Sequence, residues 1–417
     1  MTDIQPGYKQ TEVGIIPEDW TIQSVQDLIN NNSILGHLDG NHGALYPRSE
    51  EFKNYGVPYI SANDFGIHHV NFQSCKFLSE ARAKRFRKGI AKNGDVLFAH
   101  NATVGPVALL ETNLEYVILS TTATYFRCNS DKLSNIFVLY LLQSPLFVRQ
   151  YQSVMSQSTR NQVPITAQRK LIVTLPPTKA EQEAISEALS DTDALIESLE
   201  QLITKKRHIK QGTMQQLLTG KKRLPGFSGE WEVKRFCEVV QLCKERIDPR
   251  RTAPREFCIE LEHIEQETGC LVGYTITSAG SSLKSVFHEG DVLFGKLRAY
   301  LRKYWLANRE GVCSTEIWVL LAIRSLLTPQ YLFQIVKVDS FVEVASSAYG
   351  THMPRSDWNI VKNFELALPT LPEQTAIATI LSDMDTEIAT LETQLAKTRS
   401  LKQGMMHSLL TGRIRLL

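Results

Sequence analysis

Arg82, Lys84, Arg85, Arg87, Lys88 and Lys92 fall within eleven residues of one another, interrupted by Phe86. Later in the chain, Lys296, Arg298, Arg302 and Lys303 interleave with Tyr300, Tyr304 and Trp305, and Arg246, Arg250 and Arg251 lie on a Pro-containing loop upstream. Such mixtures suit one chemistry above others. Cations neutralise phosphates and release counterions, while guanidinium, amide and aromatic groups reach base edges. A single run of this kind is as often a solvated face or a local ion-pair cluster; one in each half of the chain favours nucleic acid. Two further loops, Ser158-Thr159-Arg160-Asn161-Gln162 and Gly350-Thr351-His352-Met353-Pro354-Arg355, carry donors that suit either base edges or turn closure. The candidate DNA-contacting set in the first half is therefore Arg82, Lys84, Arg85, Arg87, Lys88, Arg160, Asn161 and Gln162. In the second half it is Lys296, Arg298, Tyr300, Arg302, Lys303, Thr351, His352 and Arg355.

Bond-making chemistry finds little support. A methyltransferase needs a Gly-rich loop for S-adenosylmethionine and an Asn/Asp-Pro-Pro-aromatic motif, and Leu175-Pro176-Pro177-Thr178 lacks both the acid or amide and the aromatic. No P-loop is present, so ATP-driven translocation is not expected of this chain. His263-x-Glu265-x-Glu267 and the His68-His69 pair lack metal-ligand spacing. Asp291 and Glu316 have no nearby Glu-x-Lys to complete a nuclease centre. The expectation is no catalytic residue, no cofactor and no metal.

What must position the candidate residues is a duplication. Glu181–Gly220 aligns without gaps on Glu373–Gly412, a shift of 192, with 21 of 40 positions identical. Both copies read as long helices. Thr178-x-x-Glu181 and Thr370-x-x-Glu373 fit a capping box, and prolines 176, 177, 369 and 372 precede or open the first turn, where a missing N–H costs little. Gly220 and Gly412 suit helix ends. Between them apolar residues step by 4 and 3: Ile185, Leu189, Ile196, Leu199 and Ile203 in copy one, and Ile377, Leu381, Met384, Ile388, Leu391, Leu395, Met405 and Leu409 in copy two. That 3.5-residue period is a coiled-coil seam, and roughly 38 residues span about 57 Å. Gly212 and Gly404 interrupt the pattern, predicting a kink or a close helix approach.

Charge sets the direction of pairing. Residues 181–200 hold seven acidic and no basic side chains, and 201–223 hold seven basic and no acidic ones. Copy two repeats this with five acidic in 373–392 and five basic in 393–417. Each half suits the helix dipole. A parallel pair would set like against like, whereas an antiparallel pair sets acid against base.

Length fits two domains of about 150 residues plus the helices. The net charge of +2 means that nucleic-acid affinity must come from local patches. Seven cysteines without a CxxC pair, no apolar leader and no long apolar run predict a reduced, cytoplasmic protein off the membrane. A weaker repeat links the domains: Gly94-Asp95-Val96-Leu97-Phe98 with Gly290-Asp291-Val292-Leu293-Phe294, and Ser120-Thr121 with Ser314-Thr315. The fold class predicted is α+β. It comprises two mixed α/β recognition domains joined by two long helices packed as an antiparallel coiled coil, with an internal pseudo-twofold repeat. The boundaries expected are 1–177 and 221–369 for the domains, and 178–220 and 370–417 for the helices.

The chain resembles the specificity subunit of Type I restriction–modification systems. The likeness is carried by Leu175-Pro176-Pro177-x-x-x-Glu181-Gln182 and Leu368-Pro369-x-x-x-Glu373-Gln374 with their helices to Leu217–Gly220 and Leu409–Gly412. Gly290–Phe294 followed by Gly295-Lys296-Leu297-Arg298-x-Tyr300-Leu301, the Cys313-Ser314-Thr315-Glu316 step and Met353-Pro354-Arg355 also resemble its target-recognition motifs. The first domain departs from them, with Ala99-His100-Asn101 where the second has Gly295-Lys296-Leu297. The resemblance implies a non-catalytic subunit in which each domain reads one half of a split, asymmetric target in double-stranded DNA. It also implies helices that set the gap and dock two methyltransferase subunits, with restriction subunits joining that core. The alternatives are a one-chain methyltransferase or nuclease, a coiled-coil scaffold that never meets DNA, and the specificity subunit of a Type IIB-like enzyme.

Overall fold

The apolar runs that follow Gly94-Asp95 and Gly290-Asp291 become the central strands of two sheets. Both glycines adopt a left-handed φ (+84° and +91°). Both aspartates close the turn with their carboxylates, accepting the N–H of Lys92 and of His288 at 2.8 Å. In the computed structural model of the chain, residues 6–40, 45–157, 160–278, 282–347 and 354–416 are described. The chain divides into two compact units, Met1–Leu199 with Gln394–Leu417, and Glu200–Thr393.

In the first unit, β1 (Ile34–Asp39), β2 (His68–His69), β3 (Val96–Asn101), β4 (Thr103–Leu109) and β5 (Ala123–Cys128) form a sheet in the order β1-β5-β3-β4-β2. In the second unit, β6 (Val240–Leu242), β7 (Val292–Gly295), β8 (Tyr304–Leu306) and β9 (Ile317–Ala322) take the order β6-β9-β7-β8. The first four strands of one order thus repeat in the other, with β2 an addition to the first unit. Each unit adds a second sheet with the same number of strands, shorter on average: Phe52–Lys53, Lys76–Leu78, Val57–Ile60, Val117–Leu119 and Ile90–Ala91 in the first, and Arg246–Ile247, Lys284–Phe287, Gly311–Ser314 and Cys258–Ile259 in the second. The central strands β3 and β7 bury almost every residue because both faces are covered.

The duplicated segments are the helices α1 (Lys179–Leu217) and α2 (Leu371–Leu409), 39 residues each. Their apolar seams enter the domain cores: Ile185 and Leu189 pack with Leu409 and Leu410 around Trp20, Phe98 and Phe137 in the first unit. Ile377 and Leu381 pack with Leu217 around Phe236, Phe294 and Phe341 in the second. The antiparallel direction is visible inside each unit. Lys402 lies 2.5 Å from Asp193 in the first, and in the second Lys206 lies 2.6 Å from Glu387 while Lys210 meets Asp385. Each compact unit therefore takes the acidic half of its own helix and the basic half of the other.

Two local expectations are corrected. Thr178 does accept the Glu181 N–H at 3.2 Å, but the Glu181 and Glu373 carboxylates turn away from the reciprocal capping bond. They bind the guanidiniums of Arg415 and Arg223 instead, arginines at the far end of the opposite helix's segment. A cation outbids a lone backbone N–H for a buried carboxylate. Of the two alternatives at Gly212 and Gly404, the close approach fails, since a Cβ at either would meet nothing within 4 Å among the described residues; the helix assignment continues through both.

Candidate nucleic-acid interface

A hairpin tip and a crossing loop form the same backbone brace in both units. In the first, Ala102 N–H donates to Asn161 O at 3.0 Å and Val163 N–H to His100 O at 2.8 Å, with Asn101 and Gln162 bridged. In the second, Arg298 N–H donates to Pro354 O at 2.8 Å and Ser356 N–H to Lys296 O at 2.8 Å, with Leu297 and Arg355 bridged. Ala102 and Arg298 occupy the same seat, both left-handed at φ +63° and +55°. Non-glycine residues held there are uncommon and gather where surrounding structure over-determines them. The sequence offset already paired Ala99-His100-Asn101 with Gly295-Lys296-Leu297; one residue further lies the seat itself, which sequence reasoning left out of the first unit's set.

The candidate side chains meet different fates. Arg82 is tied down: its guanidinium sits 2.5 Å from Glu51, donates to Leu45 O at 2.8 Å and lies 4.8 Å over the Phe86 ring, leaving its side chain 10% exposed. Lys88 lies 3.1 Å from Asp39, and Lys84 stands 4.0 Å from Glu80. Arg85 and Arg87 are exposed and make no ion pair among the described residues. Arg160 and Asn161 are exposed, and Gln162 is half-buried. In the second unit Arg302 binds Asp339 and the Lys337 carbonyl, Lys303 donates to Leu261 O at 2.6 Å, and Arg355 reaches Glu316 at 2.9 Å. Lys296 is half-buried, Arg298 is exposed and Tyr300 is 53% exposed. Upstream, Arg250 lies 2.9 Å from Asp248. Thr351 and His352 lie outside the described residues.

Asp291 is a turn-closing carboxylate, and burial raises its pKa. Glu316 holds Arg355. Among the described residues no group of three or more His, Cys, Asp or Glu side chains could hold a metal ion, and no described helix is long and apolar enough to cross a membrane.

The helix faces repeat as regularly as the tips. Gln182 accepts the Ser134 N–H at 3.0 Å, and Gln374 accepts the Thr328 N–H at 2.9 Å. Each glutamine thereby caps a domain helix, Asn135–Leu141 or Pro329–Ile335. Asp193 takes Lys402, the Tyr140 hydroxyl at 2.8 Å and His68 at 3.2 Å. Asp385 takes Lys210 and, at 3.0 Å, Lys337. Burial pushes the Lys337 pKa down to about 8, opposed by Asp385, and burial likewise lowers that of His68. The identical Glu-Gln, Asp and Lys positions of the duplicated segment are thus the ones that bind helix to domain and helix to helix.

Residues 17–206 and 229–398 each match the family model described as Type I restriction modification DNA specificity domain. The putative type I restriction enzyme MjaX specificity subunit of Methanocaldococcus jannaschii is 24% identical over 99% of this chain and 97% of its own. The EcoDI specificity subunit of Escherichia coli is 28% identical over 46% of this chain and 44% of its own. Among solved structures, the Type I restriction–modification S subunit from M. genitalium superposes with a TM-score of 0.56 at 13% identity, covering 98% of this chain and 99% of that one. A chain from work on complex assembly and conformational transition of the type I R-M system gives 0.54 at 16% identity, covering 96% and 99%. At those identities the structural likeness is one of fold.

Proposed function

This chain belongs to the family of Type I restriction–modification DNA specificity subunits, and from that premise we propose that it reads a bipartite, asymmetric target in double-stranded DNA. Residues 1–177 read one half-site and 221–369 the other. The long helices hold the two readers at a set gap and dock two methyltransferase subunits, and restriction subunits join through that core in the cytoplasm. The chain itself contributes recognition and leaves methyl transfer and cleavage to its partners.

One observation carries this reading. The two units repeat a strand order and a hydrogen-bond brace while presenting unlike side chains at the shared seat, Ala102 against Arg298. A common scaffold with different tips suits two different base sequences, because base-edge contacts specify while the scaffold only positions them. Support for phosphate contact comes from the exposed cations Arg85, Arg87 and Arg160 beside the first reader.

The test is to express the chain with its methyltransferase partner and sequence the methylated bases. The expected result is a single motif in two unlike halves separated by a fixed run of unspecified bases. Replacing residues 1–177 by another domain of this type should change one half only. A continuous motif, or changes in both halves, would reject the reading. Contacts to Z phosphates should also lower log affinity by about 0.9Z per log unit of salt.

A further inference from the structure

We propose that Arg298 is the base reader of the second unit and that its guanidinium recognises the O6/N7 edge of a guanine in the major groove. The inference rests on the DNA-reading function proposed above and names the residue and the base.

The turn that carries Arg298 is fixed on every side. Its own N–H is committed to Pro354 O, Leu301 N–H to Arg298 O at 2.8 Å and Arg302 N–H to Ala299 O at 2.9 Å. Arg298 and Arg302 are both left-handed and flank the short turn Ala299–Leu301. Ala299, 3% exposed, anchors that turn in the core, while Tyr300 stands 53% exposed beside it. A group on such a turn is preorganised, so little order is lost when it binds.

Three neighbouring cations are already engaged, and a fourth, Lys296, is half-buried where Arg298 is exposed. Arg302 is bound to Asp339, Arg355 to Glu316, and Lys303 to the Leu261 carbonyl. The Arg298 guanidinium is exposed, and among the described residues it has no hydrogen bond or ion pair. The carboxylates of Asp339, held by Arg302 of the same turn, and of Glu316, held by Arg355 opposite Leu297, disfavour a phosphate. What the tip presents is one planar, two-pronged donor. Guanine's paired acceptors match that geometry, the commonest specific contact in the major groove. In the first unit the same seat holds the methyl of Ala102, so this mode of reading is absent at that position and the two half-sites differ there.

The experiment uses the full complex with the methyltransferase partner and duplexes in which each base pair of the second half-site is varied in turn. The wild type should prefer guanine at one position by about 5- to 150-fold, and 7-deazaguanine there should remove most of that preference. R298A should bind all four bases at that position alike while keeping every first-half preference, which also reports that the variant is folded. A102R should create a new guanine preference in the first half-site. If R298A weakens all sequences equally and reduces the salt slope by about 0.9, the side chain contacts a phosphate and the inference fails. Unchanged preferences at every position would also overturn it. A wild-type complex without any sequence preference would instead reject the parent reading, so the two failures are distinguishable.

Discussion

Lys337 shows what burial does to a single charge. Its side chain is 3% exposed, 3.0 Å from Asp385 and 3.9 Å from the centre of the Phe333 ring. With its pKa near 8 in the folded chain against an ordinary 10.5, the unfolded chain holds a proton between those values that the folded one has lost. Stability therefore rises with pH through that window and is unaffected by this group below it. K337M removes the dependence. In urea unfolding, its stability relative to wild type should fall by about 3 kcal/mol between pH 8 and 10.5, and a constant difference would reject the assignment. D385N, which strips the partner from a buried ammonium, should cost about 3 kcal/mol at neutral pH. The same scale shows which surroundings of the candidate DNA-contacting residues the sequence leaves unread. Sequence finds cations, but Glu51 consumes Arg82, Asp339 consumes Arg302 and Glu316 consumes Arg355, across separations that no local pattern reveals.

The long helices were the most legible elements, because caps, a 3.5-residue period and segregated charge all point the same way. Their antiparallel direction follows from charge alone and is met in Lys402 with Asp193 and Lys206 with Glu387. What local reasoning misread was Glu181 and Glu373, whose spacing fits a capping box but whose burial beside Arg415 and Arg223 is a tertiary fact. Two predictions belong here. K402E should lower stability in chemical denaturation by about 2 kcal/mol, and D193K in the same chain should restore most of it, since the swap exchanges the signs of one partly buried pair. Independent, additive losses would mean that the pair contributes nothing. Gly212 and Gly404 lie in helix interiors with open space around them, so G212A and G404A should each stabilise the isolated chain by about 1 kcal/mol. If they do so but weaken assembly with the methyltransferase, the bare surface there is a partner contact.

For the molecule as a whole, the strand orders repeat faithfully, yet the division into units could not be read from chain order. Heptads continue smoothly through residues 199–200 and 393–394, where the compact units part, and periodicity has no signal for where packing density changes. The proposed ruler role is testable at this scale. Four residues inserted at matched positions of both helices add about 6 Å to each, close to two base pairs at about 3.4 Å. The preferred gap should lengthen by one or two base pairs with both half-site sequences unchanged, as read from methylated motifs. An unchanged gap would remove the ruler.

The first compact unit is finished by residues 394–417, made only after the whole of the second unit. Leu409 and Leu410 belong to its core, the Leu410 carbonyl accepts the Thr174 hydroxyl, and Arg415 satisfies Glu181. Glu200–Thr393, by contrast, is a single uninterrupted stretch. On the ribosome, then, the usual order in which the N-terminal part folds first is inverted. The leading portion waits with Trp20 and Leu189 uncovered until residues 394–417 emerge, and a message cut short before them leaves a product that proteases can recognise as incomplete.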